Sequence, residues 1–188
     1  MSDPFFFGYG SLVNATTHSY ASTHPATLTG WRRVWRHTSL RKLAFLSVAP
    51  ADGFQIYGLI AEVPDADWQA LDLREAGYFR SNLPTASLIH DAGVVEVQMY
   101  QTHPEHEAPP GVRHPILLSY LDVVVQGFVR VFGEEGVNQF FETTDGWDAP
   151  VLNDRSNPLY PRSQVLTLQE TELVNSHLAN RKVQIILP

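Results

Sequence analysis

Two residues bear most directly on chemistry: Glu75, in a segment of helical apolar phase, and Ser11, which follows Gly8 and Gly10. If Pro64-Asp65 opens a helix with Asp65 as N-cap and Gly77 at its stop, Trp68, Leu71 and Glu75 fall within roughly 60° of one another. A carboxylate then occupies the face that otherwise points inward. Desolvation raises the pKa of such a group and lets it take and return protons near neutrality. The same placement also suits a buried ion pair with Arg74, Arg80 or another arginine. The residues alone leave both readings open.

Other constellations are excluded more firmly. A nucleophile elbow needs glycine two residues before and two after the serine, and Tyr9 and Val13 stand there. No lysine follows Gly8-Tyr9-Gly10-Ser11 to meet a phosphate, and the glycine spacing does not fit a dinucleotide fingerprint. By itself this segment also fits a glycine-lined strand exit. His103, Glu105, His106, Glu107 and His114 share a stretch broken by Pro104, Pro109 and Pro110, so a solvated loop is expected there and no metal site. The chain has no cysteine, which removes thiolate catalysis, disulfides and cysteine-ligated zinc. Arg155, Tyr160 and Arg162 lie in a late loop where a guanidinium could clamp a substrate carboxylate. A loop tied down by salt bridges to the acidic surface is the expected reading, and these residues stay outside the catalytic set.

Length and composition set the frame for these residues. The chain has 188 residues, 44% hydrophobic and 18% charged, enough for one ordinary core, so residues 1–188 are expected to form a single domain whose helical, loop-rich part begins at about residue 115. The net charge is −7 and no basic block stands out beyond Trp31–Arg36, which argues against nucleic acid or an anionic membrane as partner. No stretch approaches a membrane span in length, and a cytoplasmic protein is expected. The sequence is silent on oligomeric state.

The elements that must position Ser11 and Glu75 follow from periodicity. Strands are expected at Phe5–Tyr9, Trp31–Thr38 and Phe54–Val63, the last interrupted by Gly58, where a bulge or a close backbone approach would fall. After the Asp65 helix come strands at Tyr78–Arg80 and Val94–Tyr100, a loop over Gln101–Pro115, and a long apolar helix over Ile116–Phe132. A shorter helix, Gly133–Phe141, ends at the turn Thr143-Thr144-Asp145-Gly146. Trp147–Ser163 reads as irregular loop. Thr167 and Glu170 form a capping box opening a helix to about Leu178, with a terminal strand at Val183–Leu187. Strands early and helices late indicate an α+β class.

Two segments, Phe7-Gly8-Tyr9-Gly10-Ser11-Leu12 and Leu71-Asp72-Leu73-Arg74-Glu75-Ala76-Gly77-Tyr78-Phe79-Arg80, with Tyr57-Gly58-Leu59 between them, together resemble the γ-glutamylcyclotransferase-like superfamily, which includes ChaC-type glutathione-degrading enzymes. The resemblance implies a small mixed β-barrel flanked by helices, a cavity at the barrel and no cofactor. It further implies that backbone groups of Tyr9, Gly10, Ser11 and Leu12 hold the γ-glutamyl part of a small-molecule substrate, that Glu75 is the catalytic acid and base, and that Tyr78 lines the site. Ser119-Tyr120-Leu121 resembles a further site segment, which adds Tyr120. The implied reaction is intramolecular closure of a γ-glutamyl amine or peptide to 5-oxoproline. Such closure needs no protein nucleophile, in keeping with the missing cysteine and elbow. The match thins after Tyr100, and Thr143–Trp147 and Asp154–Arg162 fall outside the pattern, which leaves the substrate open. The alternative from another class is a non-catalytic module that binds a small ligand in the same cavity.

Overall fold

The structure is a computed structural model that describes residues 3–188. It opens with strand β1 (Phe5–Gly8), buried at all four residues. A long hairpin follows, β2 (Thr23–His37) and β3 (Ala44–Glu62), paired antiparallel with a register shift between Thr29 and Trp31, where Gly30 takes φ +81°. The short helix α1 (Gln69–Arg74) leads to β4 (Tyr78–Asn82), β5 (Leu88–Ile89) and β6 (Val97–Thr102). The second half holds β7 (Ile116–Leu117), α2 (Leu118–Glu142), β8 (Thr144–Asp145), β9 (Val151–Leu152), α3 (Leu168–Asn180) and β10 (Ile185–Ile186).

The main sheet runs β4-β6-β1-β3-β2-β5, with β8 added on β2. It is mixed: β1 lies parallel to β6 and antiparallel to β3. It curls into a half-barrel with helices against it, so the α+β class and the mixed, barrel-like sheet are as expected. A second sheet, β10-β9-β7, is small and parallel. β1 has no polar alternation because both its faces are covered. Phe5 and Phe7 join the larger core with Leu28, Leu121 and Phe128, whereas Phe6 packs in a smaller one with Leu12, Leu71 and Tyr100. That smaller core ties α1 to the loop after β1.

Several boundaries differ from expectation, each for a tertiary reason. The two hairpin strands extend well before Trp31 and Phe54 because they pair with each other along their length, whatever the local polarity. Gly58 stays in register opposite Ala26; a Cβ there would strike the Phe7 ring and the Gly8 carbonyl, so the glycine marks a close backbone approach and no bulge. Asp65 caps no helix. Pro64–Ala66 forms a 3₁₀ turn with Asp65 at φ 54°, and it is Asp67 whose side chain accepts from the Gln69 amide at 3.1 Å. The expected strand at Val94–Tyr100 sits later, at β6. Ile116 and Leu117 leave the helix to pair with β9, which interrupts the expected loop over Trp147–Ser163. The expected helix break falls at Gly133, at φ 68° and ψ −166°. The turn after it contributes β8 to the main sheet, and the terminal strand shortens to β10. The capping box at Thr167 and Glu170 is present. Among the described residues no helix is long and apolar enough to cross a membrane.

Candidate active site

Where β1 ends, the chain turns sharply into a 3₁₀ turn at Ser11–Val13 whose three residues are buried. Glycine is needed on both sides of Tyr9. A Cβ at Gly8 would come within 2.5 Å of Leu12 Cβ, and one at Gly10 within 2.6 Å of the Tyr120 hydroxyl. The turn is held from behind by Arg33, fully buried on β2, whose Nε donates to the Tyr9 carbonyl at 2.8 Å. Its remaining nitrogens donate to the Tyr57 carbonyl and, at 2.8 Å, to Thr143 Oγ1. Burial pushes its pKa down to about 9, still cationic at neutral pH. Asn14 closes the turn on its other side, donating to the Val123 carbonyl of α2 at 2.9 Å.

Glu75 is the C-cap of α1, its amide bonded to the Leu71 carbonyl at 2.9 Å. The chain then reverses through Gly77 at φ +101° into β4. Leu71, 1% exposed, anchors this short helix in the smaller core. The Glu75 side chain, 17% exposed, accepts from Arg74 Nε at 3.1 Å. Arg74 continues to the Thr17 carbonyl at 2.8 Å and to Ser11 Oγ at 3.3 Å. The two sequence-based readings of Glu75 therefore coexist, because its carboxylate has an arginine partner and also lines a cavity. Arg80 is not that partner and pairs with Asp72 at 3.0 Å. Desolvation raises the Glu75 pKa, against the opposing pull of the Arg74 and Arg162 charges.

The cavity, about 190 Å³, is lined by Ser11, Glu75, Tyr78 and Tyr120 among others. An inner recess of about 30 Å³ shares those four residues and adds Tyr9, Gly10 and Leu12. All seven residues selected from sequence thus meet in one place, although they play different structural parts. Tyr9 donates its hydroxyl to the Tyr100 carbonyl at 2.7 Å, and Tyr78 to the Leu46 carbonyl at 2.9 Å. Tyr120 keeps its hydroxyl over Gly10 and the Ser11 amide. Burial raises the pKa of all three phenols, so each is a neutral donor at neutral pH. The histidine stretch forms a separate surface turn, with Glu105 3.4 Å from His103 and 3.9 Å from His106.

Sequence reasoning missed the anchor of the outer wall. Asp154, 1% exposed, accepts from the Ser119 amide at 2.8 Å, the Ser119 hydroxyl at 2.6 Å and the Leu159 amide at 2.9 Å. It serves as a remote N-cap for α2, whose own N-cap position is Leu117, and its charge faces the positive end of that helix. Tyr160 is thereby brought edge-on to Tyr120, ring centroids 5.1 Å apart. Arg155 behaves as expected of a tied loop, reaching Asp122 with two bonds of 2.7 and 2.6 Å. Arg162 does not, for it lines the cavity instead. Asp154→Ala is expected to cost about 1–3 kcal/mol in urea unfolding, from the lost cap and the freed Ser119 and Leu159 donors. Arg33, also missed, had one signal: it shares the strand phase of Trp31 and Trp35, so it had to face inward.

Structural comparison places this architecture among known folds. A structure named as a gamma-glutamyl cyclotransferase aligns with TM-score 0.56 and 9% identity, covering 93% of this chain and 99% of that one. An uncharacterized protein from Homo sapiens aligns with TM-score 0.57 and 12% identity, over 93% and 99% of the two chains. YkqA from Bacillus subtilis aligns with TM-score 0.55 and 16% identity, over 78% of this chain and 57% of that one. These are likenesses of fold. The sequence profile of the family described as gamma-glutamyl cyclotransferase, AIG2-like, matches residues 6–117, and the chain belongs to that family. A comparison with curated protein sequences finds no match.

Proposed function

We propose that the cavity catalyses closure of a γ-glutamyl amine or peptide to 5-oxoproline, with Glu75 as general acid and base. The α-amine of the substrate attacks its own γ-amide carbonyl. A new bond forms from that nitrogen to the carbonyl carbon, and the bond from this carbon to the leaving nitrogen breaks. Glu75 takes the proton released by the attacking amine and gives it to the departing one. The observation behind this reading is one largely buried carboxylate facing a cavity that continues into the Tyr9–Leu12 recess.

The physical demands of the reaction suit that arrangement. Ring closure depends chiefly on holding one molecule bent, where good orientation is worth effective molarities of order 10⁵ M. A raised carboxylate pKa shortens the gap to the substrate ammonium, so that the proton passes at a smaller cost. The recess volume, about 30 Å³, exceeds the roughly 10–15 Å³ that admits a water-sized group. It suits a single oxygen, and amides of the Gly10–Leu12 turn would support the oxyanion that forms on the carbonyl.

The test is product analysis on the purified protein with γ-glutamyl amines, γ-glutamyl dipeptides and glutathione. Release of 5-oxoproline from at least one class is the expected result. Ligands that raise Tm and are recovered unchanged would instead establish the binding-module alternative.

A further inference from the structure

Four tyrosines line the inner recess: Tyr9, Tyr78, Tyr100 and Tyr120. A phenol has one proton to donate, and three of the four have committed theirs. Tyr9 donates to the Tyr100 carbonyl at 2.7 Å and Tyr78 to the Leu46 carbonyl at 2.9 Å, while the Tyr100 hydroxyl donates to the Asp72 carboxylate. Tyr120 differs. Its oxygen accepts from the Ser11 amide, and among the described residues nothing accepts its own proton.

Packing, and not the hydroxyl, places this ring. Tyr120 stands in the first turn of α2, the end that Asp154 caps at the Ser119 amide. Trp35 and Tyr160 lie edge-on to it, with ring centroids 6.0 and 5.1 Å away. Gly10 leaves room for the hydroxyl, which a Cβ there would meet at 2.6 Å. The free proton therefore sits at the Gly10 wall of the recess, and Glu75 lines the same space. Burial raises the Tyr120 pKa, so the proton stays on the phenol at neutral pH.

We infer that Tyr120 is a catalytic residue that donates its hydroxyl hydrogen bond to the reacting carbonyl oxygen, while Tyr9, Tyr78 and Tyr100 shape the recess through bonds to the protein itself. The inference rests on the cyclotransferase reading and adds an electrophilic partner to Glu75. As the α-amine attacks, the carbonyl π pair moves onto oxygen, and the bond from Tyr120 strengthens without transfer of its proton. The Ser11 amide, by donating to the phenol oxygen, polarises that O–H and acts through it. A donor aimed where charge develops holds the transition state more tightly than the bound substrate. Its removal should lower kcat and leave KM nearly unchanged.

Tyr120→Phe keeps the ring and alters no charge, so the acid limb of the kcat/KM profile, set by Glu75, should stay in place. The expected kcat for 5-oxoproline release falls about 10²- to 10³-fold, the usual worth of one such donor. Tyr78→Phe strands the Leu46 carbonyl and should lower Tm more and kcat less. Calorimetry with two probes tests the donor without turnover: L-glutamine, which keeps a planar γ-amide, and the γ-phosphonate analogue of L-glutamate, which places a tetrahedral anion there. Tyr120→Phe should weaken the phosphonate about 10- to 100-fold and leave glutamine nearly unaffected, which also shows that the Ser11 turn has kept its shape. A kcat near wild type, a loss carried by KM, or equal losses for the two probes would each overturn the assignment. Wild-type protein that releases no 5-oxoproline would sink the cyclotransferase reading by itself. Selective loss of the phosphonate in the variant would then still support Tyr120 as the donor in the recess, and phosphonate binding that ignores the hydroxyl would refute it.

Discussion

Glu75→Gln is expected to reduce 5-oxoproline formation about 10²- to 10⁴-fold, the usual worth of a positioned general acid and base, while leaving the fold and ligand binding nearly intact. The amide keeps an oxygen that can accept from Arg74 Nε, now at 3.1 Å from the carboxylate. It therefore preserves the bridge from α1 through Arg74 to Thr17 and Ser11, but it cannot take a proton. Loss of turnover at unchanged substrate affinity would be read from single-turnover kinetics and calorimetry. Wild-type turnover in the variant would remove Glu75 from the mechanism.

The pH dependence of the same variant carries a separate sign. Burial raises the Glu75 pKa, so kcat/KM on the acid side should climb only above the ordinary carboxylate range, where Glu75 ionises. The stability contribution runs oppositely. A carboxyl whose folded pKa is raised favours folding fully below its unfolded pKa, and that contribution is lost as pH rises through the folded value. Across that window, wild-type Tm should fall relative to the Glu75→Gln variant. Parallel Tm curves would show that burial does not control this carboxyl.

Arg33→Ala is expected to destabilise the protein by about 3–5 kcal/mol, a large part of the total stability of an ordinary domain. The side chain is fully buried and joins three parts of the molecule, the Tyr9 turn, Tyr57 on β3 and Thr143 at the end of α2. It also lies over the Phe128 ring at 4.9 Å and the Phe140 ring at 5.2 Å. Alanine would leave two buried carbonyls without this donor and a cavity between two rings. Arg33→Met separates the causes by restoring bulk without donors, and Arg33→Lys keeps the charge but not the fork. Urea unfolding should rank them wild type, Lys or Met, then Ala. If alanine costs less than about 1 kcal/mol, the guanidinium is no keystone of the turn.

The difference between Glu75 and Arg33 shows what kind of information the sequence holds. Helical phase from Trp68 and Leu71 was enough to turn Glu75 inward, even though α1 begins later than expected and Glu75 proves to be its C-cap. The expectation survived the wrong boundary because the apolar stripe repeats locally, and Leu71 is buried whichever residue caps the helix. Gly8 and Gly10 likewise signalled a tight turn. What demands glycine at Gly10, however, is the Tyr120 hydroxyl brought in by α2.

Local patterns, then, were legible: the buried β1 run, the break at Gly133, the Thr167–Glu170 capping box, and the residues of the turn and of Glu75. Each depends on neighbours within a few positions, where backbone periodicity fixes the geometry. Tertiary structure alone decided that Arg74 is the partner of Glu75 and also holds Ser11, that Asp154 caps α2 across the chain, and that Arg33 supports the Tyr9 turn. It also brought Arg41 and Arg162 to one cavity. Such pairings depend on which strands and loops meet, and a charged side chain has many candidate partners of equal chemistry until the packed core selects one.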